Sequence, residues 1–321
     1  GGFVLGFFRK RRRSGAGLFA FGTKLQYLSL GGTKGSFSVE KCVDLPQELP
    51  PSQGDLFADA DTLEANLLRL KERLGGKWGP PVSVGIQAKD VLVRIVEMPR
   101  LEPEDLRDAF RFEFDKYFPF PAQEACFDIA PIDHPSAREG GDQVHAVVAA
   151  CRLHPMELFL TAADRLGLEV EAVEPSMLSL FRCLQGPTLP PEEGNLYVMA
   201  GVHSSLLVVG YRDHGILFRN VAHGFQEKEL EEGRLQSFAR EVYSTANFSN
   251  SQFRNLPIRK IYLGGYGSRY GEVLREGIES MSGIPVTLVD PWDLWNVQRR
   301  PDPPLGWEVV LGLALRSQDR P

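Results

Sequence analysis

The sequence predicts an α/β protein of two domains, with a small α+β unit set into the first. Three observations carry this expectation. A hairpin running into a third strand occupies Gly17 to Val43, and a second set of three closely spaced strands occupies Asn195 to Val221. Between Val91 and Val173 the pattern runs strand, helix, two strands, helix, strand. The stretch Gly186 to Gly194, GPTLPPEEG, is a Pro-rich connection of the kind found at domain boundaries. The chain's 321 residues are enough for two cores.

In chain order, the first strand is Gly17-Leu18-Phe19-Ala20-Phe21, followed by a Gly22-Thr23 turn. The second strand alternates apolar and polar residues to Leu30. Gly31-Gly32 leads into a third strand, about Ser36 to Val43. Asp59 to Leu74 is a helix, with Leu63, Leu67, Leu70 and Leu74 on one face and Gly75-Gly76 at its end. Val82 to Gln87 and Val91 to Val96 are short apolar strands. Pro103 opens a helix, where its fixed φ suits the first position. Leu106, Phe110, Phe114 and Tyr117 line one face, and Phe118-Pro119-Phe120-Pro121 stops it. Strands follow at Ala125 to Ile132 and Val144 to Cys151, then a helix to Leu166, a strand at Leu168 to Val173 and a helix from Pro175.

In the second domain, three strands lead to a helix from Lys228 to about Asn247. The strand Ile258 to Leu263 enters Gly264-Gly265-Tyr266-Gly267, and a helix spans Glu272 to Ser282. Ile284 to Val289 closes the set. Trp292 to Pro304 reads as a loop and Trp307 to Arg316 as a terminal helix.

Composition excludes several function classes. The net charge of −6 argues against a nucleic-acid partner. The sequence holds no apolar run of about eighteen residues, the length a membrane-spanning helix needs. The four cysteines, Cys42, Cys126, Cys151 and Cys183, lie far apart in apolar contexts and read as buried free thiols. The six histidines have no metal-ligand spacing and read as loop and surface residues. No Gly-x-Ser-x-Gly elbow is present. Phe3 to Phe8 followed by Arg9-Lys10-Arg11-Arg12-Arg13 reverses the order of a secretory signal. It reads either as a membrane-surface tether or as a solvated tail.

Several phrases resemble one family. A strand ending in Met98-Pro99-Arg100-Leu101, an acidic-started helix and Lys116-Tyr117-Phe118-Pro119-Phe120-Pro121 resemble the PilM family, the actin-like cytoplasmic proteins of type IV pilus assembly, related to FtsA and the GspL cytoplasmic domain. Val147 to Arg152, Gly167-Leu168, Val173-Glu174-Pro175 and Gly312-Leu313-Ala314-Leu315-Arg316 also resemble it, in the family's order. The resemblance covers Gly17 to Arg316. It implies an actin-like, ribonuclease H-like duplicated fold. Residues 1–16 would be a flexible basic leader and 17–185 the first domain, with a 1C-like insertion at about 93–155. Residues 186–300 would be the second domain, and 301–321 a helix returning to the first domain, with a tail.

The same resemblance implies two phosphate turns facing one another. Gly22 and Thr23 match the first, but Ala20 stands where the family carries a metal-organising aspartate. Gly201 matches the second, with Met199 at the aspartate position. The implied nucleotide contacts are Gly22, Thr23, Gly201, His203, Ser204, Ser205, Glu241, Gly264, Gly265 and Gly267, with ATP or ADP as ligand, no confident Mg²⁺ site and no catalytic residue. Gly22-Thr23 also reads as an ordinary hairpin turn and Glu241 as a solvated helix charge. The resemblance further implies a groove for the cytoplasmic tail of a PilN-like membrane protein, with Leu106, Phe110, Phe114, Tyr117 and Phe118 as its candidate lining, and a pilus or secretion motor ATPase as a second partner. The expected function is a scaffold of a type IV pilus or type II secretion platform, peripheral to the inner membrane. The alternative is an actin-like ATPase or a sugar-kinase-like enzyme on the same fold.

Overall fold

The computed structural model describes residues 15–21, 24–33, 35–46, 60–138, 140–187, 193–225, 232–253, 256–266 and 270–317. The chain begins with β1 (Gly15–Phe21), β2 (Lys24–Thr33), β3 (Ser36–Pro46), α1 (Ala60–Arg73) and β4 (Val82–Ile86). It continues through β5 (Val91–Pro99), α2 (Pro103–Glu113), β6 (Ala125–Ile132) and β7 (Gln143–Arg152). Next come α3 (Leu153–Leu166), β8 (Val170–Pro175) and α4 (Ser176–Gln185). The later elements are β9 (Gly194–Ala200), β10 (Ser205–Tyr211), β11 (His214–Val221), α5 (Glu232–Gln252), β12 (Ile258–Gly265), α6 (Gly271–Ser282) and β13 (Val286–Leu288). The described chain ends with α7 (Pro291–Leu294), β14 (Val297–Gln298), α8 (Glu308–Ala314) and a 3₁₀ turn.

Among the described residues, one sheet runs β14-β3-β2-β1-β4-β8 and another runs β11-β10-β9-β12-β13. Leaving out β14, the two orders are the same, with antiparallel pairs on the hairpin side and parallel pairs on the other. The pattern of apolar residues explains which strands sit centrally. In β4 (VSVGI) and β9 (GNLYVMA) every residue is buried, as expected of strands covered on both faces. Helices α1 and α3 pack together beside the first sheet, and α5 and α6 beside the second.

The inserted unit is a three-stranded antiparallel sheet, β5-β7-β6, with α2 on one face. Pro103 sits at the start of α2, and Glu104 and Asp105 complement its amino-terminal dipole. The inner face of α2 and the turn after it supply Leu106, Phe110, Phe114 and Phe118 to a closed core with Phe127, Ile129 and Val148. Phe114 stacks on Phe118 with ring centroids 4.6 Å apart, and Phe110 meets Phe127 edge-on. The α+β unit read from the sequence extended through its second helix and last strand. Instead, α3 packs on α1 and β8 pairs with β4, so both belong to the first sheet. The left-handed turn at Gly167 that ends α3 directs the chain there.

The span Trp292 to Pro304, expected as loop, holds α7 and β14. Asp290 caps α7 by accepting from the Trp292 N–H at 2.9 Å, and Pro291 starts it. Strand β14 then pairs in parallel with β3, Val297 against Phe37. Two other expectations are corrected. Cys42 lies on β3 and is exposed, while the other three cysteines are buried. His134 is buried and stacks on His145 of β7 at 3.8 Å between centroids. Burial, with His145 alongside, pushes the His134 pKa down to about 4.

Helix α8 returns to the first sheet, between α4 and β1. The approach is so close that a Cβ at Gly312 would overlap the Ser179 carbonyl. A buried ion cluster fixes this junction. Arg182 Nη1 donates to Glu174 Oε1 at 2.6 Å and to the Gly312 carbonyl at 2.7 Å. Arg182 Nη2 and Arg316 Nε both donate to Glu174 Oε2, at 3.0 and 3.1 Å.

Candidate functional site

Two cavities merit a functional reading, and both arise at junctions. The first, of about 250 Å³, lies between the two like-ordered sheets. Phe19 and Phe21 of β1 face Met199, Gly201, His203 and Ser204 of the β9–β10 turn across it. Met177 and Leu180 of α4 and Glu308 of α8 complete the walls. Two of the cavity's polar groups are held by the backbone. Gln87 Nε2 donates to the Ala20 carbonyl at 3.0 Å. The Glu308 carboxylate accepts the Gly306 N–H at 2.9 Å, and burial pushes its pKa up to about 7.

The structure gathers part of the expected nucleotide set here. Gly201, His203 and Ser204 line the cavity. Ser205 does not: its side chain is buried, its hydroxyl donates to the His223 carbonyl at 2.7 Å, and it closes the turn from within. Glu241 is also elsewhere, held by Arg219 at 2.6 Å on the face of α5. Gly264 packs under Leu184. Gly265 adopts a φ of +75°, and a Cβ there would strike the Ala200 carbonyl and the Met199 sulfur. Protein atoms rather than open space therefore meet both glycines. Gly22, Thr23 and Gly267 lie outside the described residues.

A magnesium-bound nucleoside phosphate needs carboxylates for its hydrated metal and cations for its oxygens. Among the described lining residues there is no Lys, Arg or Asp, and the one carboxyl, Glu308, is buried in apolar surroundings. Met199, and not a carboxylate, stands on the wall at the end of β9, and the Ala20 carbonyl at the end of β1 is taken by Gln87. The described lining does not fit that ligand.

The second cavity, of about 350 Å³, lies where the inserted sheet meets the first sheet. Its lining includes Ile86 of β4, Leu92 of β5, Phe120, Arg152 and Met156, with Lys89 and Asp90 also contributing. The Arg152 guanidinium sits 5.2 Å from the Phe120 ring centroid and pairs with Glu124 at 3.2 Å. The expected groove residues are not here. Leu106, Phe110 and Phe114 are fully buried and Phe118 nearly so, inside the core of the inserted unit; Tyr117 is half-buried. Helical spacing identified one face of α2 correctly, but that face covers its own sheet. The residues that reach the cavity come just after the helix, at Pro119 and Phe120, within the Phe-Pro-Phe-Pro phrase.

The duplicated strand order with a cleft between the sheets defines an actin-like fold. In fold, the chain is similar to a chain of the PilM–PilN type IV pilus biogenesis complex, with a TM-score of 0.70 at 21% identity, covering 95% of this chain and 98% of that one. It is also similar to the cytoplasmic domain of EpsL, an inner-membrane component of the type II secretion system of Vibrio cholerae, with a TM-score of 0.50 at 11% identity over 96% and 97% of the two chains. A protein of actin-like ATPase fold and unknown function from Bacteroides thetaiotaomicron gives 0.51 at 10% identity over 99% and 100%. No family model matches the sequence. The likeness to PilM read from the sequence is met at the level of the fold. Among the described residues, no helix is long and apolar enough to cross a membrane.

Proposed function

We propose that this chain is a non-catalytic scaffold of a type IV pilus or related type II secretion platform, lying against the cytoplasmic face of the inner membrane. In this reading it receives the amino-terminal tail of a PilN-like membrane protein in the cavity beside the inserted sheet. It passes contact on to the motor ATPase of the same machine. The observation that carries the proposal is the full-length fold match to the PilM–PilN complex. Two features add support. The second cavity joins apolar walls to a polar edge of Lys89, Asp90 and Arg152, a lining suited to an extended peptide with apolar and polar side chains. The interdomain cleft offers a metal-bound nucleotide no anchor among its described lining residues. The proposal therefore contains no phosphoryl-transfer step.

The test is fluorescence anisotropy with the cytoplasmic tail peptides of candidate membrane partners. Binding is expected, weakened about tenfold or more by Phe120→Ala or Arg152→Glu. In thermal melts, ATP with magnesium should shift the transition no more than ATP with a chelator. Magnesium-dependent ATP hydrolysis, with no tail peptide bound, would replace this reading by the enzymatic one.

A further inference from the structure

The sequence placed all four cysteines far apart, but the fold brings two of them together. Cys126 of β6 and Cys151 of β7 are directly opposite partners in antiparallel register. Opposed residues in such a ladder have Cα atoms about 4.5–5.5 Å apart. That lies inside the range of about 4.4–6.8 Å that a disulfide spans. The register alone brings the two Cα atoms within disulfide range.

The pair is also chemically differentiated. The neighbouring Cys151 thiol holds the Cys126 pKa below the usual thiol value, with the Arg107 charge adding to the effect against the cost of burial. The nearness of Cys126, reinforced by burial, pushes the Cys151 pKa up. Both side chains are shielded from bulk water, yet Cys151 lines the cavity between the inserted sheet and the first sheet. A small oxidant entering that cavity reaches one sulfur, and the second is its immediate neighbour. The other two cysteines lack this arrangement. Cys42 is exposed on β3, and Cys183 is buried with its thiol donating to the Glu308 carbonyl at 3.1 Å.

We propose that Cys126 and Cys151 are a modification site, closing a reversible cross-strand disulfide under peroxide and so tying β6 to β7 at the wall of the second cavity. One sulfur of the pair, as its thiolate, attacks hydrogen peroxide. The O–O bond breaks, the sulfur becomes a sulfenic acid, and the departing hydroxide takes up the thiol proton as water. The other sulfur then attacks the sulfenic sulfur, expelling the hydroxyl, which leaves as a second water with the remaining thiol proton. Two thiols are oxidised and one peroxide is reduced. A dithiol reductant reverses the change. This inference stands whether or not the cavity takes a peptide.

The test uses the full chain carrying Cys42→Ser, which removes the exposed thiol. The folded protein is treated with hydrogen peroxide, alkylated and digested, and its peptides are weighed. The expected result is a linked Cys126–Cys151 peptide lighter by two hydrogens, loss of two of the three remaining reactive thiols, and recovery of both with dithiothreitol. Cys183 should remain a thiol, and Cys151→Ser should abolish the linked peptide. The proposal is overturned if Cys126 and Cys151 are both recovered alkylated after a peroxide dose that fully oxidises Cys42 in the unmodified chain. Oxidation of either one to sulfinic acid without the link would also overturn it.

Discussion

The two halves share a strand order, but they keep their charges in different places. In the first half, Glu174 is buried with two arginines, and the cluster joins β8, α4 and the turn after α8. In the second half, the Arg219–Glu241 pair between β11 and α5 stays wet, its side chains 41% and 32% exposed. The apolar pattern alone accounts for the repeated sheet. The difference lies in the work of connection: the first half receives the end of the chain, and its ion cluster is the one taken out of water. A buried charge stripped of its partner is costly, while a wet ion pair contributes little.

The largest effect should come from that cluster. Glu174→Gln removes the buried carboxylate that Arg182 and Arg316 share and should cost about 3–5 kcal/mol in urea denaturation. A loss below about 1 kcal/mol would erase the contrast between the halves, because that is the range of an exposed pair. The aromatic core of the inserted unit comes next. Phe114→Ala should cost about 3–4 kcal/mol by emptying a fully buried site. Phe112→Ala, on the 89% exposed side of the same helix, should fall within about 0.5 kcal/mol.

Glu308 gives a smaller, pH-dependent effect. Its pKa is raised in the folded state from 4.5 to about 7, so the native state holds a proton that the unfolded chain has lost. Stability from this group is full below pH 4.5 and falls as pH rises toward 7, by on the order of 2–3 kcal/mol. Glu308→Gln should flatten that part of the pH profile; an unchanged slope would place the titration elsewhere. Smallest of all, Glu241→Gln should change stability by about 1 kcal/mol or less.

Much of the fold was legible in the sequence because the strands announce themselves locally. The run Ala125–Ile132 was bounded to the residue, since the apolar segment ends at the polar loop that begins with Asp133. Strand β14 was not legible. It is two residues long, and its partner Phe37 lies some 260 positions earlier, so no local pattern marks it. The cleft was legible in outline through Gly201 and Met199, because the second turn repeats the first. Ser205 and Glu241 were placed at the cleft by the family resemblance, but a hydrogen bond to the His223 carbonyl and an ion pair to Arg219 direct their side chains elsewhere, Glu241 taking its alternative reading as a helix charge. The second cavity was missed because no single segment builds it. Ile86, Phe120 and Met156 meet only after the inserted sheet has docked.

Strand β14 changes what it means to cut this molecule. The first sheet is assembled from residues on both sides of the second, so the second half is spliced into the first rather than strung after it. One break in the backbone between them would leave two fragments still clasped, through β14 along β3 and through α8 wedged beside β1. To release the amino-terminal half, a protease would have to sever the chain twice, or one cut would have to be followed by peeling away an edge strand and a buried helix.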